Sequence, residues 1–329
     1  MVDEKFIPHG PLGLGGAPLG NLLGAITDEA ARAAIDAAWE TGTRHFDTAP
    51  HYGAGLSEHR VGAALRERQR DAFTLSTKVG RTLVPAPQGV GEWEDNFEHG
   101  LNFTRRLDYS YDGALRSVED SLNRLGLARI DIAYIHDVGA DWLGDAWEGH
   151  FADAMKGAAR ALSRLRDEGV IRAWGLGVNV VEPCLRALRE SDPNMFLLAG
   201  RYTLLDQGGL PELLPACEAR GVHVVIGGPF NSGLLAGGDL FEYARAPDAM
   251  VARAQAIGAV CTRFGVDLKA AALQFCAAHP AVAAVIPGAR SAAEVEQNAA
   301  LMEQPIPLEL WAELKAGRLL PEDAPVPEL

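Results

Sequence analysis

Gly13-Leu14-Gly15-Gly16-Ala17-Pro18 is the first candidate strand and turn of the chain, and its last residue decides the fold. An open, doubly wound α/β sheet that binds a dinucleotide carries G-x-G-x-x-G at this place. The third glycine there lets the helix pack closely on the strand. Here Pro18 occupies that sixth position, and the one similar run, Gly175-Leu176-Gly177-Val178-Asn179-Val180, ends in Val180. Outward from Leu12–Gly15, short apolar runs recur around Thr43–Thr48, Phe73–Val79, Ile130–Ile135, Ala173–Val178, Phe196–Tyr202, His223–Ile226 and Val282–Ile286. Helical segments fall between them. Thr27 can cap a helix through Trp39 that Gly42 stops, and Leu115, Val118, Leu122 and Leu125 recur at helical spacing from Tyr111 until Gly126. Phe151–Glu168 reads as one helix ended by Gly169, and Asp248–Phe264 as another ended by Gly265. Pro183 and Pro211 read as first-turn prolines, the second of a helix ending at Gly221, and Ser291 with Glu294 as a capping box. Eight strand signals, most followed by a helix, predict a closed (β/α)8 barrel, with the open sheet as the alternative.

Composition narrows the function. Of 329 residues, 48% are hydrophobic and 22% charged, which excludes extensive disorder; no composition shift marks a linker, so residues 1–329 read as one domain. A net charge of −14 argues against a nucleic-acid or anionic-membrane partner, since a polyanion gains nothing by approaching an acidic surface. Cys184, Cys217, Cys261 and Cys276 lie far apart and read as buried thiols, not a disulfide frame. The start is acidic with no apolar segment, and the most apolar stretch, Lys269–Gly288, is broken by Gln274, His279 and Pro280. A cytoplasmic protein of unknown oligomeric state is the expectation.

Two connections are too long to be turns. The chain from Gly80 to Asp108 carries Trp93, Phe97 and Phe103, with Tyr109 just beyond, and reads as an ordered lid of about 80–108. Asp137–His150 holds Trp142 and Trp147. Both follow strands, on the face where barrel active sites lie. Trp142 reads as a platform for a sugar face or, equally, as a hydrophobic clasp.

The densest cluster of chemistry is His45-Phe46-Asp47-Thr48-Ala49-Pro50-His51-Tyr52-Gly53. Asp47 ends one strand, Lys78 the next and His136 the one after, while Tyr52 lies in the loop after Asp47. This set suits proton transfer by a tyrosine. Ionising a phenol at pH 7 costs about 4 kcal/mol, and an ammonium about 4 Å away returns a comparable sum at an effective dielectric of ~20. Asp47 would hold Lys78 charged, and His136 would orient the substrate oxygen. A lone Tyr or Lys at a strand end is usually structural; four suitable groups on adjacent strand ends are harder to dismiss. The competing chemistry, a hydrolase metal held by His45, Asp47 and His51, lacks a further ligand cluster on later strands.

Asp47-Thr48-Ala49 with Tyr52-Gly53, then Lys78, then His136, resembles the catalytic tetrad of the aldo-keto reductase family, in order, spacing and strand context. The resemblance runs from Leu12-Gly13-Leu14-Gly15 to Ile286-Pro287-Gly288-Ala289-Arg290 and Asn298. It implies a (β/α)8 barrel that binds a nicotinamide cofactor, with Tyr52 as acid/base tuned by Lys78 and Asp47, and with Tyr52, His136 and Trp142 around the substrate. No metal is implied.

The same resemblance places the cofactor along Gly16, Asp47, Asn179, Arg201, Phe230, Ser232, Gly233, Leu234, Gly288, Arg290, Glu294 and Asn298. Several positions depart from the family pattern. Asn179 stands where a serine usually grips the carboxamide, Ala199 replaces a glutamine with Arg201 nearby, and Gly227 replaces the aromatic that stacks on the nicotinamide ring. Pro229-Phe230-Asn231-Ser232-Gly233-Leu234-Leu235 resembles the pyrophosphate loop. Glu294 occupies the place of an arginine that grips a 2′-phosphate, so NAD is expected, with NADP possible through Arg290. Ala17–Leu22, Leu107–Asp112, Tyr134–Asp137 and Ala199–Leu205 resemble the group that oxidises the anomeric carbon of an aldose such as L-fucose, L-galactose or D-arabinose to the lactone. The group that oxidises pyridoxal at its 4-position is similar, and a general aldehyde or ketone reductase is the remaining alternative. A binding module that keeps the cofactor but barely turns over is disfavoured by the complete tetrad and the aromatic lid.

Overall fold

The computed structural model describes residues 6–89 and 96–327, so Trp93 of the expected lid lies outside the described residues. In chain order the strands are β1 (Gly13–Gly15), β2 (His45–Asp47), β3 (Thr74–Val79), β4 (Arg81–Pro85), β5 (Phe103–Leu107) and β6 (Ile132–His136). They continue with β7 (Ala173–Val178), β8 (Met195–Ala199), β9 (His223–Gly227), β10 (Leu240–Phe241), β11 (Ala244–Arg245) and β12 (Val282–Ile286).

Eight of them form one parallel sheet in the order β1-β2-β3-β6-β7-β8-β9-β12. It closes on itself through bridges between Leu12 and Val285 and between Gly15 and Gly288. Gly15 N–H donates to the Pro287 carbonyl at 2.9 Å, and Val285 N–H to that of Pro11 at 2.8 Å. The chain is therefore the expected (β/α)8 barrel, each core strand falling on one of the apolar runs. Such runs are apolar on both faces because both are covered. Inward residues Ile132, Tyr134, Met195, Leu197, Val225, Ala284 and Ile286 pack together inside the barrel, with Phe6 against them. Outward residues join the helices in a second, larger core. The four cysteines are free and buried. Among the described residues no helix is long and apolar enough to cross a membrane.

Helix ends follow local chemistry. The Thr27 hydroxyl accepts from Ala30 N–H at 3.1 Å and opens Asp28–Glu40. Ser110 does the same for Tyr111–Leu125, which Gly126 ends in the left-handed region. Three details differ from the sequence reading. Phe151–Glu168 is part of two helices, Trp147–Lys156 and Ala158–Asp167, broken at Gly157, where a Cβ would lie 2.5 Å from the Tyr109 carbonyl oxygen. Pro211 precedes its helix, Leu213–Arg220, by two residues. The Glu294 carboxylate accepts from Arg290 N–H at 2.8 Å, one residue before the Ser291 that caps Ala292–Met302.

The long connection after β3 is built around an antiparallel pair, β4 with β5, in which Arg81 opposes Leu107 and Pro85 opposes Phe103. The connection after β6 carries a short helix, Ala140–Leu143, that includes Trp142. After β9 comes a third excursion, the small hairpin β10–β11.

Candidate active site

Asp47, Lys78 and His136 stand at or near the C-terminal ends of β2, β3 and β6, all on one rim. Tyr52 follows in the turn after β2, its N–H donating to the Ala49 carbonyl at 3.1 Å. That turn is pressed against residues 18–20: a Cβ on Gly20 would lie 2.5 Å from the Tyr52 carbonyl carbon. Gly53, at φ +62°, likewise meets the Gly20 carbonyl oxygen. Only glycine permits this approach, and it fixes where Tyr52 stands.

The structure brings all four groups together. Lys78 Nζ donates to Asp47 Oδ2 at 2.7 Å and to the Thr48 carbonyl at 2.9 Å. The Ser76 hydroxyl donates to Asp47 Oδ1 at 2.7 Å. Lys78 and Asp47 are both buried, and Nζ lies 4.6 Å from the centre of the Tyr52 ring. The His136 ring meets the Tyr52 ring edge-on at 5.8 Å. Phe97, from the long connection after β3, stacks on Tyr52 at 5.7 Å and 23°. His51 packs against Phe97, His136 and Trp142 with ring centres 5.3, 5.6 and 6.3 Å away.

Burial dominates the electrostatics. It pushes the Tyr52 phenol well above its ordinary range, and the Asp47 and Asp137 carboxylates push the same way, against the Arg81 guanidinium. Lys78 spends its charge on Asp47, so the pair as a whole does little for the phenol, which rests protonated. Burial also holds the His136 and His51 imidazoles well below theirs, helped by Lys78 and Arg81. The site thus offers a protonated phenol and a neutral imidazole over a buried ion pair, which is equipment for moving one proton at one oxygen.

A cleft of about 520 Å³ leads away from the tetrad. Gly16, Asp47, Phe230, Ser232, Gly233, Gly288, Arg290, Glu294 and Asn298 of the sequence reading line it, together with Tyr52. Leu234 is buried beneath it. Asn179 and Arg201 lie elsewhere, in an adjoining recess of about 330 Å³ that also holds Trp142 and Asp141. There the Asn179 amide hydrogen-bonds the Asp141 carboxylate, and Arg201 pairs with Asp206 and Glu242. A smaller cavity joins Tyr52, Lys78 and His136 to Trp142 and Asn179.

The cleft fits a dinucleotide by its donors. Asn231, Ser232 and Gly233 all have positive φ (48°, 58° and 103°), a turn that gathers backbone amides as an anion nest does. A Cβ on Gly233 would meet nothing within 4 Å, so the loop faces open space. At the far end stand the cations Lys269 and Arg290 and the anion Glu294. Arg290 Nη2 is also engaged, donating to the Leu22 carbonyl at 2.7 Å.

Some lining residues were not foreseen. Lys269 lies on a helix, Leu268–Ala277, that carries no motif, and Gln297 lies on the helix of Glu294 and Asn298. Tyr243 lines the cleft, the recess and the small cavity alike. It sits in the two-residue turn of β10–β11 with Glu242, both at positive φ, where Asn-Gly is the usual signal. Its N–H donates to the Ser232 hydroxyl at 3.0 Å, which ties the hairpin to the loop below. Among the described residues, no group of three His, Cys, Asp or Glu side chains could hold a metal.

A parallel barrel whose rim sets a tyrosine and a histidine over a buried Asp–Lys pair, at the mouth of a long cleft, defines a class of redox enzyme that works through a tyrosine proton. Residues 11–317 match the Aldo/keto reductase family, and the chain belongs to it. It is similar to a pyridoxal 4-dehydrogenase of Microbacterium luteolum, 43% identical over 94% of both chains. It is also similar to a D-threo-aldose 1-dehydrogenase of a Pseudomonas species, 41% identical over 94% of both. Among solved structures, an aldo-keto reductase from Bacillus halodurans in its holo form superposes with a TM-score of 0.72 at 28% identity, over 97% of this chain and 94% of that one. The protein is a nicotinamide-dependent oxidoreductase acting on CH–OH groups of small molecules.

Proposed function

We propose that the protein oxidises the anomeric hydroxyl of a cyclic aldose, such as L-fucose, L-galactose or D-arabinose, to the lactone, with NAD as acceptor. The observation that carries the chemistry is the buried Lys78–Asp47 pair at 2.7 Å with Nζ 4.6 Å from the Tyr52 ring. Tyr52, once its own proton has been lost, takes the proton of the anomeric hydroxyl on Oη as the C1–H bond breaks and the C1–O bond becomes double. His136 holds that oxygen in line. Asp47 keeps Lys78 in place beside the phenol. Bound nicotinamide supplies the hydride acceptor.

The recess beyond Trp142 supports a hydroxyl-rich ligand, because Asp141, Asn179 and Arg201 offer both donors and acceptors there. Trp142 supplies an apolar face for the ring. The aromatic faces of Phe97, His51 and Trp142 equally favour a flat ring, which keeps pyridoxal as the second reading. NAD is favoured because the Glu294 carboxylate lines the cleft where a 2′-phosphate would meet it, while Arg290 is held by Leu22. We assign Gly16, Phe230, Ser232, Gly233, Leu234, Gly288, Arg290, Glu294 and Asn298 to the cofactor, and Asn179 and Arg201 to the substrate side.

Reduced-nicotinamide absorbance with L-fucose or pyridoxal, each with NAD or NADP, tests the reading. Turnover of L-fucose with NAD is expected. Turnover of pyridoxal alone would move the substrate and keep the mechanism, preference for NADP would put Arg290 above Glu294, and silence in every arm would refute the reading.

A further inference from the structure

Arg81 is the first residue of the lid hairpin, yet its side chain turns inward and is buried. Its Nη2 lies 2.9 Å from Asp137 Oδ2, and the same oxygen lies 3.4 Å from His136 Nε2. The guanidinium centre stands 5.0 Å from the Trp142 ring, and Nη1 lies 3.3 Å from His51 Nδ1. Asp137 is itself buried and adopts φ +48°, a left-handed conformation that costs a non-glycine residue on the order of 1 kcal/mol. The backbone there is held from outside: Tyr109 Oη donates to the His136 carbonyl at 2.8 Å. A strained, buried aspartate set between a cation and an imidazole is a costly arrangement for mere packing.

We propose that Asp137, held by Arg81 at the start of β4, is a positioning residue for His136. The inference rests on the proton transfer assigned to Tyr52 and His136 above. An anion 3.4 Å from Nε2 favours a proton on that nitrogen and fixes the ring plane. It leaves Nδ1, which is buried with no hydrogen-bond partner among the described residues, as the unprotonated nitrogen. Lining one small cavity with Tyr52 are Lys78 from β3, His51 from its own turn, His136 and Asp137 from the end of β6 and Tyr243 from β10–β11, and the charges of Asp47 and Arg81 also act on the phenol. Of these, Asp137 raises the phenol and Arg81 lowers it. The lid therefore contributes a charge to the reaction as well as a cover.

The test compares Asp137→Asn, Arg81→Gln and Arg81→Lys with the unaltered protein. Asp137→Asn is expected to lower kcat on the order of tenfold or more, with cofactor affinity unchanged by fluorescence titration. In the pH profile for oxidation, the rising limb belongs to Tyr52 losing its proton. Asp137→Asn removes an anion and moves that limb to lower pH; Arg81→Gln removes a cation and moves it higher, and Arg81→Lys restores it. In 15N-histidine spectra, with the His136 signal assigned by its loss in His136→Asn, the Nε2-protonated form dominates, and Asp137→Asn abolishes that preference. Limbs that stay put or shift together, with an unchanged His136 tautomer, would overturn the proposal. Silence of the unaltered protein on L-fucose and pyridoxal would defeat the functional reading alone, since the imidazole spectra still decide this one.

Discussion

At the scale of single residues, the site depends on a phenol that rests protonated. Burial and two carboxylates hold Tyr52 well above its ordinary range, so oxidation is expected to accelerate with rising pH up to the limit of the fold, while reduction of the corresponding lactone or of an aldehyde slows. Initial rates in both directions across a pH series check this; an oxidation rate flat from neutral to alkaline pH would contradict it. Removing the hydroxyl with Tyr52→Phe should cost on the order of 10³-fold in kcat, the range of a lost general acid–base, and leave cofactor binding intact. A variant with undiminished rate would refute the role of Tyr52. The tetrad was legible because Asp47, Lys78 and His136 end adjacent strand runs and Tyr52 follows the first of them in its loop. Arg81 and Asp137 were not, since nothing in Gly80-Arg81 or His136-Asp137 says that the two charges meet.

At the scale of elements, the barrel strands were readable from apolar runs bounded by turns, and the missed pieces have physical reasons. Leu56–Leu65 begins after Gly53-Ala54-Gly55 and buries Ser57 and Glu58, so no clean apolar stripe announces it. Glu58 is satisfied far away in sequence, accepting from the Thr77 hydroxyl at 2.7 Å and from Arg124 Nε at 2.5 Å. The strands β4 and β5 are joined by the long stretch 86–102 instead of a tight turn, and β10–β11 turns on Glu242-Tyr243, which lacks the residues that signal a hairpin. The break at Gly157 reflects contact with the Tyr109 backbone, a tertiary fact. Two glycines in helices now predict opposite outcomes. A Cβ on Gly62 would run into the Leu125 backbone of Tyr111–Leu125, so Gly62→Ala should destabilise by about 3 kcal/mol through overpacking. Gly149, within Trp147–Lys156, has nothing within 4 Å of its Cβ position, so Gly149→Ala should stabilise by roughly 0.5–1 kcal/mol. Urea unfolding of both variants reads the two signs directly; a neutral Gly62→Ala would mean that the two helices are free to part.

At the scale of the whole molecule, the barrel buries histidines neutral, and this ties stability to pH. His45 lies fully buried at the start of β2, neither ring nitrogen hydrogen-bonded among the described residues, and burial, helped by His9 and Lys78, lowers it to about 3. His51 and His136, also buried, are held low as well. Below pH ~6.5 each of these rings takes up a proton in the unfolded chain and refuses it in the barrel. Stability is thus complete above that pH and lost as pH falls toward the folded values, at up to about 1.4 kcal/mol per pH unit for each ring. The acidic surface works the other way, because its net charge of −14 declines as pH falls and self-repulsion eases. Absolute stability mixes the two effects; a substitution inside the barrel separates them. His45→Met removes one titrating ring with little change in volume and leaves the surface alone. Between pH 6.5 and 4 it should lose roughly 3 kcal/mol less stability than the unaltered protein, whichever is more stable at neutral pH. Denaturant unfolding of both at several pH values measures that difference. Parallel curves would mean that His45 finds a proton acceptor in the folded barrel, and that the interior beneath the Asp47–Lys78 pair is wetter than its packing indicates.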